Sequence, residues 1–225
     1  MLDMTPVRKI KNTRRSISGF YMFQGVEQTQ FESTLERDFL IRHEYQGDIV
    51  GIVSQPCTIK YVHPNGRTYN YTPDYLVMHK VGNKRFSEYQ KPLLVEVKPT
   101  KELREHLTEW RPKFKAAMRY AKSHGYVFKI YDESRIRDVT YRNIRFLARY
   151  KGREYDSGDV DMVMETVNNM GSATVDYLLA KCFNGMYRAE GIGVIWSLVA
   201  EKKLLCDFHE PLSNTTLLWE KHSND

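Results

Sequence analysis

Tyr71-Thr72-Pro73-Asp74-Tyr75 and, further along, Val95-Glu96-Val97-Lys98-Pro99 are the two segments on which the reading of this chain turns. Asp74 follows a proline inside a stretch otherwise suited to a strand, where Asp is normally depleted. Glu96 and Lys98 share one strand face at period 2, directly after the apolar run Leu93-Leu94-Val95. A charged pair at the end of a core strand is costly to bury unless it binds something. Two carboxylates and one ammonium are also the set that metal-assisted hydrolysis of a DNA phosphodiester needs. The acids can hold Mg2+, with Mn2+ as a substitute, to polarise the phosphate and lower the pKa of a water; the lysine can orient that water or offset charge on phosphorus. The plainer readings are an edge-strand or turn-capping Asp74 and an exposed Glu–Lys pair beyond the sheet.

The flanking pattern predicts the scaffold. Phe31, Leu35 and Phe39 recur at helical spacing, predicting a helix over 28–45 that Gly47 ends. Ile49 to Val53 lead into Gln55-Pro56, and Cys57–Val62 reads as a strand. Pro64-Asn65-Gly66 is a hairpin turn, because Asn-Gly accepts positive φ angles. The return strand, Thr68–Met78, carries Asp74, and a turn at Gly82-Asn83 precedes the strand of Glu96. Leu103, Leu107, Trp110, Phe114, Ala117, Met118 and Ala121 form the stripe of a long amphipathic helix over 101–123. A strand at Tyr126–Tyr131 and helical residues near 137–150 follow. Helix, three strands, helix and strand amount to an α/β sandwich around a mixed sheet. A third acid is expected from the first helix, where Glu36 can point from the edge of the apolar stripe toward the strand ends. Ser33-Thr34-Leu35-Glu36 also fits a capping box, with Glu32 as the alternative ligand.

The 225 residues allow one large domain, or a medium and a small one. The net charge of +6 is uneven: residues 155–225 hold 5 Lys+Arg against 11 Asp+Glu, and the preceding residues hold 29 against 17. The DNA-facing part is therefore expected in the first two-thirds. Residues 1–25, with Arg8, Lys9, Lys11, Arg14 and Arg15 ahead of Phe20, Tyr21 and Phe23, read as a basic arm that either orders on nucleic acid or stays a solvated tail. The polar segment 151–159 coincides with the change of charge sign and is the expected boundary between domains at 26–152 and 153–225. Beyond it, helical patterns near 160–169, 173–183 and 189–202 precede a ribbon formed by Leu204-Leu205-Cys206 and Thr216–Trp219, as in a winged-helix-like module. No apolar run approaches the ~20 residues of a membrane span, and the basic start lacks the apolar stretch of a secretory signal. Cys57, Cys182 and Cys206 are expected to be reduced thiols of a cytosolic protein. The histidines lack metal-site spacing, and no phosphate-binding GxxxxGK[ST] or nucleophile-elbow GxSxG is present. Lys113, Lys115, Arg119 and Lys122 are assigned to the outer face of the long helix, solvated by default, with phosphate contact as the alternative reading.

Taken in order, Leu35-Glu36-Arg37-Asp38-Phe39, Gln55-Pro56, Tyr71–Tyr75 and Val95–Pro99 make essentially the whole chain resemble the TnsA family, the endonuclease subunit of heteromeric, Tn7-like cut-and-paste transposases. The resemblance implies a type II restriction-endonuclease fold of the PD-(D/E)xK superfamily followed by a winged-helix-like domain. It implies Glu36, Asp74, Glu96 and Lys98 as the catalytic set, with Glu36, Asp74, Glu96 and the Val97 carbonyl as metal ligands; in the family the position of Glu96 is Glu or Gln. It further implies cleavage of the 5′, non-transferred strand of double-stranded DNA at transposon ends. The implied partners are a TnsB-type DDE transposase and a TnsC-type AAA+ regulator docked through the acidic C-terminal domain, in a bacterial cytoplasm. The alternatives are a stand-alone restriction or repair nuclease of the same fold, and a non-catalytic DNA-binding assembly adaptor.

Overall fold

The computed structural model describes residues 17–80, 90–183, 185 and 188–220, and the chain divides into two compact units, residues 1–137 and 138–225. Residues 1–16 of the expected basic arm, and the turn expected at Gly82-Asn83, lie outside the described residues.

The first unit opens with an antiparallel hairpin of β1 (Gly19–Phe23) and β2 (Glu27–Phe31), which buries Phe23, Thr29 and Phe31. The aromatic end of the expected arm is thus a strand. Helix α1 (Thr34–Glu44) starts later than its apolar spacing predicts. Ser33, in extended backbone, accepts the Glu36 N–H on its hydroxyl, which is an N-cap. The residues ahead of it satisfy their backbone groups in the hairpin instead. Phe31 therefore belongs to a strand, and its spacing from Leu35 is fortuitous.

Strands β3 (Ile49–Ser54), β4 (Ile59–Val62), β5 (Thr68–Tyr71), β6 (Tyr75–His79), β7 (Leu93–Val97) and β8 (Val127–Tyr131) follow, with α2 (Thr100–Ser123) between the last two and α3 (Glu133–Ile136) after them. The main sheet has the order β3-β6-β7-β8, antiparallel except for the parallel pair β7–β8. The long connection through α2 is what permits that parallel pairing. The return strand expected over Thr68–Met78 is broken in two. Pro73 has no N–H to donate to a ladder, so β5 pairs with β4 in a separate hairpin and the sheet strand begins again at Tyr75.

Period-2 alternation gives the sheet two buried faces. Ile52, Tyr75, Val77, Val95 and Val97 pack with Leu35, Phe39 and Leu40 of α1. Val53, Leu76 and Leu94 pack with Ala116, Ala117 and Ala121 of α2. Leu107 and Met118, predicted core residues of α2, are exposed, because the buried stripe of this helix is confined to Phe114, Ala116, Ala117 and Ala121.

The second unit comprises α4 (Val139–Leu147), α5 (Ser157–Met170), β9 (Ala173–Thr174), α6 (Val175–Cys182), α7 (Arg188–Ala200), β10 (Leu204–Leu205) and β11 (Leu217–Glu220). The expected ribbon, β10 with β11, gains β9 as a third antiparallel strand. Val163, Val167, Leu178, Leu179, Val194, Ile195 and Leu198 make the core. Leu147 is buried in that core and Asn143 bonds the backbone of Phe208, Glu210 and Leu212, so α4 belongs to this unit. The division consequently falls ahead of the polar segment 151–159. It also moves charge: the first unit carries 24 Lys+Arg against 15 Asp+Glu, the second 10 against 13. No described helix is long and apolar enough to cross a membrane.

Helix α7 passes Phe183 so closely that a Cβ on Gly191 would lie 2.3 Å from the Phe183 ring. Gly191→Ala is expected to overpack the second core at a cost of about 1–3 kcal/mol, read as an earlier thermal transition by circular dichroism.

Candidate active site

The break at Pro73 puts Asp74 just ahead of β6, where the main chain holds it on three sides. Its N–H donates to the Val95 carbonyl at 3.0 Å, its carbonyl accepts the Gln55 N–H at 2.8 Å, and its Oδ2 accepts the Val97 N–H at 2.7 Å. The Tyr75–Val95 register of β6 and β7 therefore brings Asp74 beside Glu96. Glu96 alternates onto the α2 face of the sheet with Leu94 and is only 2% exposed. Its Oε2 accepts the Tyr71 hydroxyl at 2.6 Å. Its Oε1 receives two ammoniums, Lys98 at 3.4 Å and Lys113 at 3.3 Å. Lys98 Nζ also stands 3.7 Å from Asp74 Oδ2. Asp74, Glu96 and Lys98 thus converge as the sequence predicts. None of them is the exposed or turn-capping group of the plainer readings.

Electrostatically the site has an excess of negative charge. Burial, then the Glu96 charge, push Asp74 well above the usual carboxylate range, against the opposing pull of Lys98. Burial pulls the Lys98 pKa down, but Asp74, Glu96 and Glu36 outweigh it and leave the ammonium firmly protonated. Burial is the main cause of the rise in Glu36.

Glu36 is the acid for which sequence allowed two roles, and the capping bonds are formed. Its Oε2 accepts the Glu32 N–H at 2.9 Å and its Oε1 the Ser33 hydroxyl at 2.9 Å, with the Tyr75 hydroxyl 3.3 Å from Oε2. Its charge still raises Asp74 and Lys98, which puts it within electrostatic reach of the other acids. Among the described residues, no three Asp, Glu, His or Cys side chains form a ready-made metal cage.

Two further residues stand at the site. Gln55 is held in left-handed backbone, φ 48°, and its buried Oε1 has no hydrogen-bond partner. Such strain in a non-glycine residue persists only where the surroundings enforce it, and here the bond to Asp74 does so. Lys113 was assigned to the outer face of α2. Its position three residues after Trp110 and four before Ala117 is the signal that places it on the inner one.

Residues 46–133 match the family model described as TnsA-like endonuclease N terminal, and residues 135–208 the model described as TnsA endonuclease C terminal. The chain belongs to the TnsA-like endonucleases. Comparison with curated proteins gives no match. The N-terminal match takes in Gln55, Asp74, Glu96, Lys98 and Lys113 of this TnsA-like chain, and begins after Glu36.

A carboxyl whose folded-state pKa lies above its unfolded value favours the fold most when protonated, and that contribution disappears as pH rises through the folded pKa. Asp74 is such a group, so the metal-free TnsA-like chain should be less stable at pH 8 than its Asp74→Asn variant. The gap in Tm should close toward about pH 4, the unfolded Asp value. Thermal melts in chelator at the two pH values check this; a wild type more stable than the variant at pH 8 contradicts the raised Asp74 pKa.

Proposed function

We propose that this chain is the DNA-cutting subunit of a transposase, a Mg2+-dependent endonuclease that hydrolyses the 5′, non-transferred strand at transposon ends. The observation that carries the reading is the convergence of Asp74, Glu96 and Lys98 at one end of the mixed sheet of a TnsA-like endonuclease. The donor set fits a hard cation. Mg2+ commonly binds through one or two carboxylates, completing its shell with waters and substrate phosphates, and it does not require an all-protein cage. Burial, and after it the neighbouring Glu96 charge, raise the Asp74 pKa, and a bound cation would offset both.

Asp74, Glu96 and the Val97 carbonyl would hold the ion, with Glu36 as the third acid on the Tyr75 side. When bound, the ion supplies a Lewis acid that polarises the phosphate and lowers the pKa of the attacking water. Lys98, shared between both strand acids, orients the nucleophile and offsets the charge that develops on the phosphate oxygens. Tyr71 donates to Glu96 and keeps its second oxygen fixed. The Gln55 N–H, bonded to the Asp74 carbonyl, ties the two backbones together, a positioning role that sequence did not assign.

Double-stranded DNA suits the first unit, which carries the surplus of Lys and Arg. The second unit suits protein contact over residues 155–225, where acids outnumber bases 11 to 5, and its β10–β11 ribbon after helices is in keeping with a winged-helix-like module. In this reading a DDE transposase cuts and joins the other strand, and an AAA+ regulator docks on the acidic part, in the cytoplasm of a bacterium.

In an excision reaction reconstituted with such partners, Asp74→Ala and Lys98→Ala should each slow 5′-strand cleavage by about 100-fold or more, while joining of the other strand persists. Chelation should stop 5′ cleavage, and Mn2+ should restore it. Unchanged cutting of both strands by Asp74→Ala would refute the assignment; specific cutting of naked DNA without partners would favour the stand-alone nuclease.

A further inference from the structure

We infer that Lys113 is a second lysine of the active centre: it holds Glu96 in the metal-free chain and turns to the scissile phosphate when DNA and cation enter. The inference rests on the nuclease reading above and extends it to a residue that reading does not use.

The geometry is unusual for a surface helix lysine. The Lys113 side chain is 16% exposed, and its ammonium lies 3.3 Å from Glu96 Oε1, the oxygen that Lys98 approaches at 3.4 Å. The same ammonium stands over the rings of Trp110 at 4.4 Å, Phe114 at 5.1 Å and Tyr71 at 5.2 Å. These rings favour the cation where water is scarce, and they confine the side chain to the mouth of the site. Burying an ammonium is unfavourable without a partner, and Glu96 is the carboxylate within ion-pair distance of it.

Two ammoniums meet on one carboxylate oxygen, and of the two it is Lys98 that is shared with Asp74. Glu96 already has Lys98 and the Tyr71 hydroxyl. When Glu96 Oε1 is engaged by a divalent cation, Lys113 loses its anion while its aromatic surroundings keep it near. The phosphodiester brought in with DNA is a new anion at that place. An ammonium there meets the charge that builds on the phosphate oxygens during attack. Lys113 thus has opposite effects at two stages: it competes with the cation for Glu96 before DNA arrives, and assists cleavage afterwards.

That opposition separates the inference from a structural ion pair. In full-length protein without DNA, Mn2+ titration followed by electron paramagnetic resonance should show several-fold tighter binding for Lys113→Met and Lys113→Gln than for wild type. In the reconstituted excision reaction at saturating DNA, the same variants should cut the 5′ strand about 100-fold more slowly under single turnover, with Lys113→Arg recovering much of the rate. If Lys113 only props Glu96 in place, Mn2+ affinity and cleavage fall together, and the inference is overturned. Wild-type cleavage by either neutral variant, beside an inactive Asp74→Ala, overturns it too and leaves the nuclease reading standing. Wild-type cleavage by Asp74→Ala removes both.

Discussion

A carboxylate that is almost completely buried near the end of a β-strand is the constraint around which the first unit is organised. Burying a carboxylate there is costly without donors and cations arranged about it, and separate elements supply them. Tyr71 comes from the β4–β5 hairpin, Lys98 from the end of its own strand, and Lys113 from the long helix that packs on the same face. The parallel crossover between β7 and β8 brings that helix back over Glu96. Fold and site are therefore linked, with Tyr71 both bonded to Glu96 and buried among the residues between the sheet and the long helix.

Which residues meet at the sheet end was more legible in the sequence than the boundaries of the elements. Asp74, Glu96 and Lys98 stood out because charged residues beside apolar runs violate strand preference, and that local conflict survives without knowledge of the fold. Glu36 was only half legible: its spacing from Ser33 announces a cap and its place on α1 announces an acid near the strands, and the structure makes the cap while keeping the charge within reach. The start of α1 was misplaced because Phe31 lies at helical spacing from Leu35 while pairing as a strand residue. Lys113 was lost through phase. Counting Leu107 and Met118 into the apolar stripe rotated the inferred inner face, whereas burial follows Phe114, Ala117 and Ala121. β9, two residues long, is too short for any periodicity to announce it.

The charge asymmetry survives in weaker form once α4 is counted with the second unit. Arg142, Arg145 and Arg149 are exposed on and just after that helix, ahead of the acidic run. The second unit is thus a strongly acidic stretch joined to a basic one, and a partner surface recognising it would have to respect both signs.

Asp74 is positioned by peptide groups of three different residues, and Glu96 by its place in a ladder. The distance between them is consequently set by strand register and not by the number of residues separating them along the chain. The length of the connection from β6 to β7 does not enter that distance as long as the pairing of Tyr75 with Val95 is kept. Residue spacing is then a poor ruler for recognising distant members of such a site. Conservation of hydrogen-bond phase is the better one.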